Sequence, residues 1–184
     1  MIYFLRHGED DENYVGGWSD VDLTQNGIMQ VKNTCSIIRR LPITSIVSSD
    51  VKRARTTASI VGERLNLQVQ YSDKFRELDK GLLTGLSREK AKEMFPMYVG
   101  NIEIDKKYPN GESMLDLYRR IKELLKEIEN WNNVLVVTHR GVINMIYFLM
   151  ENRLPDNNKE QFNVTHASIH EWDQEKKKIR RIEK

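Results

Sequence analysis

Residues 2–8 read IYFLRHG, and residues 134–141 read VLVVTHRG. Each is a strand-length apolar run that ends in a histidine, a basic residue and a glycine. A strand that stays apolar without alternating is buried on both faces, which requires helices above and below its sheet. Ionisable side chains at the end of such a strand stand at the sheet's rim. The two stretches therefore predict an α/β fold: a three-layer sandwich with a largely parallel central sheet and helices on both faces.

The intervening sequence supports this reading. Gly8 to Asp22 is polar and aperiodic, as a loop would be. A helix is predicted from Thr24, as N-cap, to about Leu41, with Ile28, Val31, Cys35 and Ile38 on one face and Pro42 after it. Ile43 to Val47 reads as a second strand, with Ser48, Ser49 and Asp50 as caps for a helix reaching about Leu65. Leu67 to Tyr71 is a third strand or an extended connection. Short strand alternating with longer helix is the rhythm of a layered α/β domain.

From Phe75 to Gly111, glycines and prolines break the chain into short pieces such as Arg88 to Phe95. The part at about 81–111 reads as a rim or cap over a site. A helix from Ser113 to about Asn130 carries Leu117, Ile121, Leu124 and Ile128 on one stripe. A further helix from Val142 to Met150 follows VLVVTHRG, and Ala167 to Trp172 alternates like a strand. No internal repeat or low-complexity linker interrupts the 184 residues, so a single domain is expected.

Composition narrows the classes. The chain is 39% hydrophobic, and 29 basic against 27 acidic residues leave a formal charge of +2. No apolar run approaches the ~20 residues of a membrane span, and the first residues lack the pattern of a secretory signal. A cytoplasmic protein without membrane or nucleic-acid partners is expected. The basic stretch EKKKIRRIEK at the C-terminus reads as a solvated tail or a charged edge strand. Cys35 is the only cysteine and reads as a small buried hydrophobe. Without clustered ligand spacing, neither a metal nor another cofactor is predicted.

In parallel sheets, ligands collect outside the carboxyl ends of the strands. That rule gathers Arg6, His7, the 49–55 region and His139 at one rim. Two histidines and several arginines suit a phosphoryl group. A neutral imidazole can attack phosphorus, Arg6 can hold its oxygens, and a second guanidinium from Arg53 or Arg55 can hold another edge. Asn13 and Thr24, in or near the first loop, are candidate substrate contacts, although Thr24 already has an account as a helix cap.

LRHGE at 5–9 resembles the signature of the histidine phosphatase superfamily, which includes cofactor-dependent phosphoglycerate mutases and many small phosphatases. GWSDVDLTQNG at 17–27, SSDVKRARTTA at 48–58, RELDKGLLTG at 76–85, GES at 111–113 and VVTHRG at 136–141 extend the resemblance over most of the chain. It implies that His7 accepts the phosphoryl group, that Arg6, Arg53 and His139 bind it, and that Glu77 donates the proton to the leaving oxygen. Arg55 is left a peripheral role. The sequence departs from related phosphatases at Thr84, where glutamate is frequent, and at Arg140, where glycine is; Arg140 becomes a further candidate substrate contact.

The short 81–111 segment favours a phosphatase of the small branch over a mutase, whose chains generally carry longer inserts. The expected activity is metal-independent hydrolysis of a small phosphorylated metabolite through phosphohistidine. The alternatives are a cofactor-dependent phosphoglycerate mutase and a non-catalytic phosphate-binding domain. Lys80, Lys90, Lys92, Lys106 and Lys107 suggest a substrate with a second anionic group. The sequence leaves the oligomeric state open.

Overall fold

The computed structural model describes residues 1–100, 102–158 and 160–183. Its elements, in chain order, are β1 (Ile2–Arg6), α1 (Gln25–Ile38), β2 (Ser45–Ser49), α2 (Lys52–Leu65) and β3 (Val69–Ser72). There follow α3 (Arg88–Met94), α4 (Met114–Glu127), β4 (Val134–Thr138), α5 (Arg140–Met150), β5 (Ile169–Asp173) and β6 (Lys178–Ile182). The strands form one six-stranded sheet in the order β3-β2-β4-β1-β5-β6. β3, β2, β4 and β1 are mutually parallel; β5 pairs antiparallel to β1, and β6 antiparallel to β5.

Period-two alternation sorts the central strands onto two cores. Ile2, Phe4, Val134 and Val136 pack with Leu117, Ile121, Ile143 and Ile146 of α4 and α5. Tyr3, Leu5, Leu135 and Val137 pack on the other face with Val31, Cys35, Ala58 and Val61 of α1 and α2. Both β1 and β4 are buried along their whole length, which is why neither alternates in sequence. Complete burial of each such side chain contributes about 1.5–3 kcal/mol.

Register then places the chemistry. Leu5 lies opposite Val137 and Arg6 opposite Thr138, so β1 and β4 end together and His7 emerges beside His139. The glycine after His7 is required by a close approach between backbones. A β-carbon on Gly8 would press on the Gly27 carbonyl, and one on Gly27 would overlap the Glu9 carbonyl. Glycine at both positions lets the first turn of α1 sit directly on the chain leaving β1.

Several boundaries differ from the sequence-based expectation. β2 starts at Ser45 rather than Ile43, because pairing begins only where Thr44 N–H reaches the Asn133 carbonyl. None of Ser48, Ser49 or Asp50 caps α2. Its N-cap is Val51, which makes no side-chain cap bond. Ser49 instead faces His139, and Asp50 accepts a forked pair of bonds from Arg76. α5 begins two residues early, at Arg140. The C-terminal stretch resolves as an edge strand, β6, and Cys35 is buried at 3% exposure. No described helix is long and apolar enough to cross a membrane.

Candidate active site

His7 is almost fully buried at the end of β1. Its Nδ1 lies 2.7 Å from the Gly8 carbonyl oxygen, which can only accept, so the ring proton sits on Nδ1 and the lone pair on Nε2. That lone pair accepts from Arg53 Nε at 3.2 Å. Burial lowers the His7 pKa well below the usual value, and Arg53, His139 and Arg6 push it further down. The imidazole is therefore neutral at neutral pH, with its free nitrogen among cations. That is the state a nucleophile at phosphorus needs.

Arg53, in the first turn of α2, is 2% exposed. It also donates from Nη2 to the Gly17 carbonyl at 2.7 Å and from Nη1 to Ser19 Oγ at 3.4 Å, so the first loop fixes the guanidinium plane. Arg6 donates from Nη1 to the Val164 carbonyl at 2.7 Å and from Nη2 to His166 Nε2 at 2.5 Å. Burial lowers its pKa to about 10, with Arg140 adding to the effect, and it remains a cation at neutral pH. His139 is fully buried, with its ring 5.1 Å from that of His7 and Nε2 2.9 Å from Ser49 Oγ.

Two buried polar atoms here have no hydrogen-bond partner among the described residues: Arg6 Nε and His139 Nδ1. Buried polar groups are nearly always hydrogen-bonded, so the Arg6 Nε–H calls for an acceptor such as a ligand oxygen.

Glu77 approaches from the opposite side, from the segment that follows β3. Its Oε2 accepts the Gly141 N–H at 3.0 Å and its Oε1 accepts the Leu78 N–H at 2.9 Å. The backbone of this segment is pinned as well. The Glu77 carbonyl accepts from Trp18 Nε1 at 2.7 Å and from Arg120 Nη2 at 3.2 Å. Arg120 is itself forked onto Glu112, whose other contact is the Asp79 N–H at 3.0 Å. Trp18 and, through Arg120, Glu112 thus hold the Glu77 backbone in place.

Arg6, His7, Arg53, Glu77 and Arg140 all line one cavity of about 160 Å³, whereas His139 lies outside the lining, with its ring 5.1 Å from that of His7. Arg140 is ion-paired with Glu160 at 2.6 Å. The other two candidate contacts lie outside this lining. Thr24 Oγ1 caps α1 through the Gly27 N–H and donates to Glu9 Oε1. Asn13 lies in a turn whose backbone bonds Asp11 and Arg88. Thr84 is also outside the lining, and Arg55 stacks on Tyr71 at the surface, 4.2 Å from the ring centre. Of the five lysines expected at the rim only Lys80 reaches it. Lys106 lies over the Tyr98 ring and Lys107 pairs with Asp116, because the 81–111 segment turns them outward.

Sequence reasoning missed Asp10, which lines the cavity, and His166, which lies outside that lining but beside His7. Asp10 lies 3.5 Å from Arg53 Nε, and His166 lies 3.8 Å from Asp10. Burial raises the Asp10 pKa against the pull of Arg53; burial and Arg6 bring His166 down to about 4. The ED that follows RHG gave a signal for Asp10, whereas nothing in the sequence distinguished His166. His7, Asp10 and His166 offer ligand atoms within 4.8 Å of one another. The expectation of a metal-free site thus meets a set of suitable donor types. In the present arrangement, however, both imidazole Nε2 lone pairs accept guanidinium N–H bonds, which a cation would have to displace.

The end of the sheet thus gathers a neutral imidazole, two buried guanidiniums and a backbone-held carboxylate. The chain belongs to the histidine phosphatase superfamily (branch 1), whose family model matches residues 2–184. It is 33% identical over 150 residues to a probable phosphoglycerate mutase, GpmB, of Citrobacter koseri, covering 76% of this chain and 69% of that one. It is 32% identical over 155 residues to phosphoserine phosphatase 1 of Hydrogenobacter thermophilus, covering 79% and 74%. Among solved structures it resembles a mycobacterial glucosyl-3-phosphoglycerate phosphatase, with a TM-score of 0.76, 26% identity, and 98% and 95% of the two chains covered. Its fold is also that of Bacillus stearothermophilus YhfR, with a TM-score of 0.79, 22% identity, and 94% and 91% covered.

Proposed function

We propose that the protein is a phosphomonoester hydrolase that works through a phosphohistidine at His7. The supporting observation is the fixed tautomer of His7, which holds a neutral Nε2 lone pair toward Arg53. The Nε2 lone pair forms the bond to phosphorus while the bond from phosphorus to the ester oxygen breaks. Arg6, Arg53 and His139 hold the equatorial oxygens, where negative charge spreads in the transition state. Glu77, entering as the acid, gives its proton to the departing alkoxide, so an alcohol leaves. As carboxylate it then takes a proton from the water that attacks phosphorus. The N–P bond breaks, inorganic phosphate is released, and His7 and protonated Glu77 are restored. No step uses a metal.

The test is rapid quench with a 32P-labelled ester, with and without EDTA. An acid-labile, base-stable phosphoenzyme is expected in the wild type and not in His7→Ala, which loses at least about 10⁴-fold in kcat. Turnover by His7→Ala at the normal rate rejects the nucleophile, and loss of activity in EDTA rejects the metal-free scheme. Similarity to a probable phosphoglycerate mutase supports a second reading. Isomerisation of phosphoglycerate that depends on a bisphosphoglycerate primer and exceeds hydrolysis would replace the first reading with it.

A further inference from the structure

The cavity lined by Arg6, His7 and Arg53 is lined by hydrocarbon as well, alongside polar groups that include Glu12, Lys80, Asn144 and Asn157. Ile102 and Tyr108 from the 81–111 segment, Met114 from α4, and Met145 and Phe148 from α5 converge there, with Leu78 next to Glu77. They come from three separate parts of the chain, and Tyr108, Met145 and Phe148 are each less than a tenth exposed. Three of the charged groups that share the lining are already engaged within the chain. Arg140 is paired with Glu160 at 2.6 Å, Asp156 with Arg153 at 3.0 Å, and Arg88 donates to the Glu12 carbonyl. A leaving group rich in hydroxyls or carboxylates would lose its water here and compete for partners already bonded. A hydrocarbon would lose only its contact with water.

We propose that the alcohol released at this site is apolar: the substrate is a phosphate monoester of an alkyl or aryl alcohol whose hydrocarbon body rests against Ile102, Tyr108, Met114, Met145 and Phe148. The proposal rests on the hydrolase reading above and specifies its substrate class. Selectivity comes from burial on the leaving-group side, while the phosphoryl end is read identically in every ester. Glu77 and its neighbour Leu78 both line the cavity, which brings the carboxylate and an apolar side chain to the same space.

The experiment is kcat/KM for the n-alkyl phosphates from methyl to hexyl, alongside glucose 6-phosphate, 3-phosphoglycerate and p-nitrophenyl phosphate. From ethyl upward these alcohols differ little in basicity, so a gain along the series reports burial. The expected gain is about threefold per methylene until the wall is covered. Hexyl phosphate should exceed both polar metabolites by at least tenfold. Ile102→Ser and Met114→Ser, each at a partly exposed position, should flatten the slope. A flat series in the wild type, or a preference for either polar ester, overturns the apolar assignment and leaves the hydrolase reading standing. Failure to turn over any ester, p-nitrophenyl phosphate included, overturns both.

Discussion

Glu77 and Gly141 occupy one another's space: the carboxylate accepts the Gly141 N–H at 3.0 Å, and a β-carbon at residue 141 would overlap Glu77 Oε1. Gly141 is in the first turn of α5 and faces the pocket, so adding a methyl group there moves the carboxylate with little disturbance of the core. Gly141→Ala should lower kcat/KM on alkyl phosphates by about 10²-fold and on p-nitrophenyl phosphate by much less, because only a basic leaving oxygen needs the proton. Glu77→Gln should reproduce the pattern. Equal losses on both substrates, with the melting temperature unchanged, would remove the acid role.

Arg53 serves three acceptors from one rigid fork: His7, Gly17 and the Ser19 side chain. A lysine keeps the charge but cannot reach all three in one plane. Arg53→Lys is expected to lose about 10²–10³-fold in kcat and to bind vanadate more weakly. Steady-state kinetics and vanadate inhibition check this, and a lysine variant within twofold of wild type would show that charge alone suffices.

Asp10 brings a carboxyl group into a pocket built for anions, 3.5 Å from Arg53 Nε. It competes with phosphate oxygens for the same cation. Asp10→Asn should therefore tighten inhibition by inorganic phosphate, by about tenfold, and slow turnover if product release limits it. An unchanged or weaker inhibition constant would mean that Asp10 chiefly orients Arg53.

Ser49 Oγ lies 2.9 Å from His139 Nε2 and is its side-chain partner among the described residues, and both residues are fully buried. Ser49→Ala leaves that nitrogen without a partner, at a cost of about 1–3 kcal/mol in urea unfolding, together with reduced kcat. Ser49→Thr, which keeps the hydroxyl, should recover most of the activity. No recovery would assign Ser49 to packing alone.

His170 supplies a pH dependence of stability. Ser168 Oγ donates to the Thr165 carbonyl, so it accepts from His170 Nε2–H, and Tyr147 donates to Nδ1. Burial, with help from Arg181, lowers the His170 pKa to about 3, against about 6.5 in the unfolded chain. The folded state thus prefers the neutral ring. Its contribution is complete above pH 6.5 and shrinks as pH falls toward 3, because the unfolded chain takes up the proton first. The loss reaches about 2 kcal/mol by pH 5. His7 and His139, also lowered by burial, act in the same direction. Melting temperature should fall from pH 7.5 to 5 in the wild type and fall less in His170→Asn; parallel curves would count against this account.

The central strands were legible because burial on both faces removes the alternation that would otherwise mark a strand, and the RHG and HRG endings marked where the sheet stops. His7 and His139 are 132 residues apart in sequence, yet the Arg6–Thr138 register alone brings their rings within 5.1 Å. The start of α2 was misread because Ser49 and Asp50 have cap chemistry but are drawn to His139 and Arg76, a tertiary demand that local propensity does not register. His166 was missed for a related reason. Its role follows from the left-handed Ala167, with φ of 53°, and the turn before β5, whose path no sequence period describes.

The sheet ends on β6, where Lys178, Arg180 and Arg181 give the last strand a fringe of positive charge. If a second copy tried to extend the ladder antiparallel through that margin, cations would meet cations across the seam. The charge of that margin thereby disfavours the pairing of a second copy along β6.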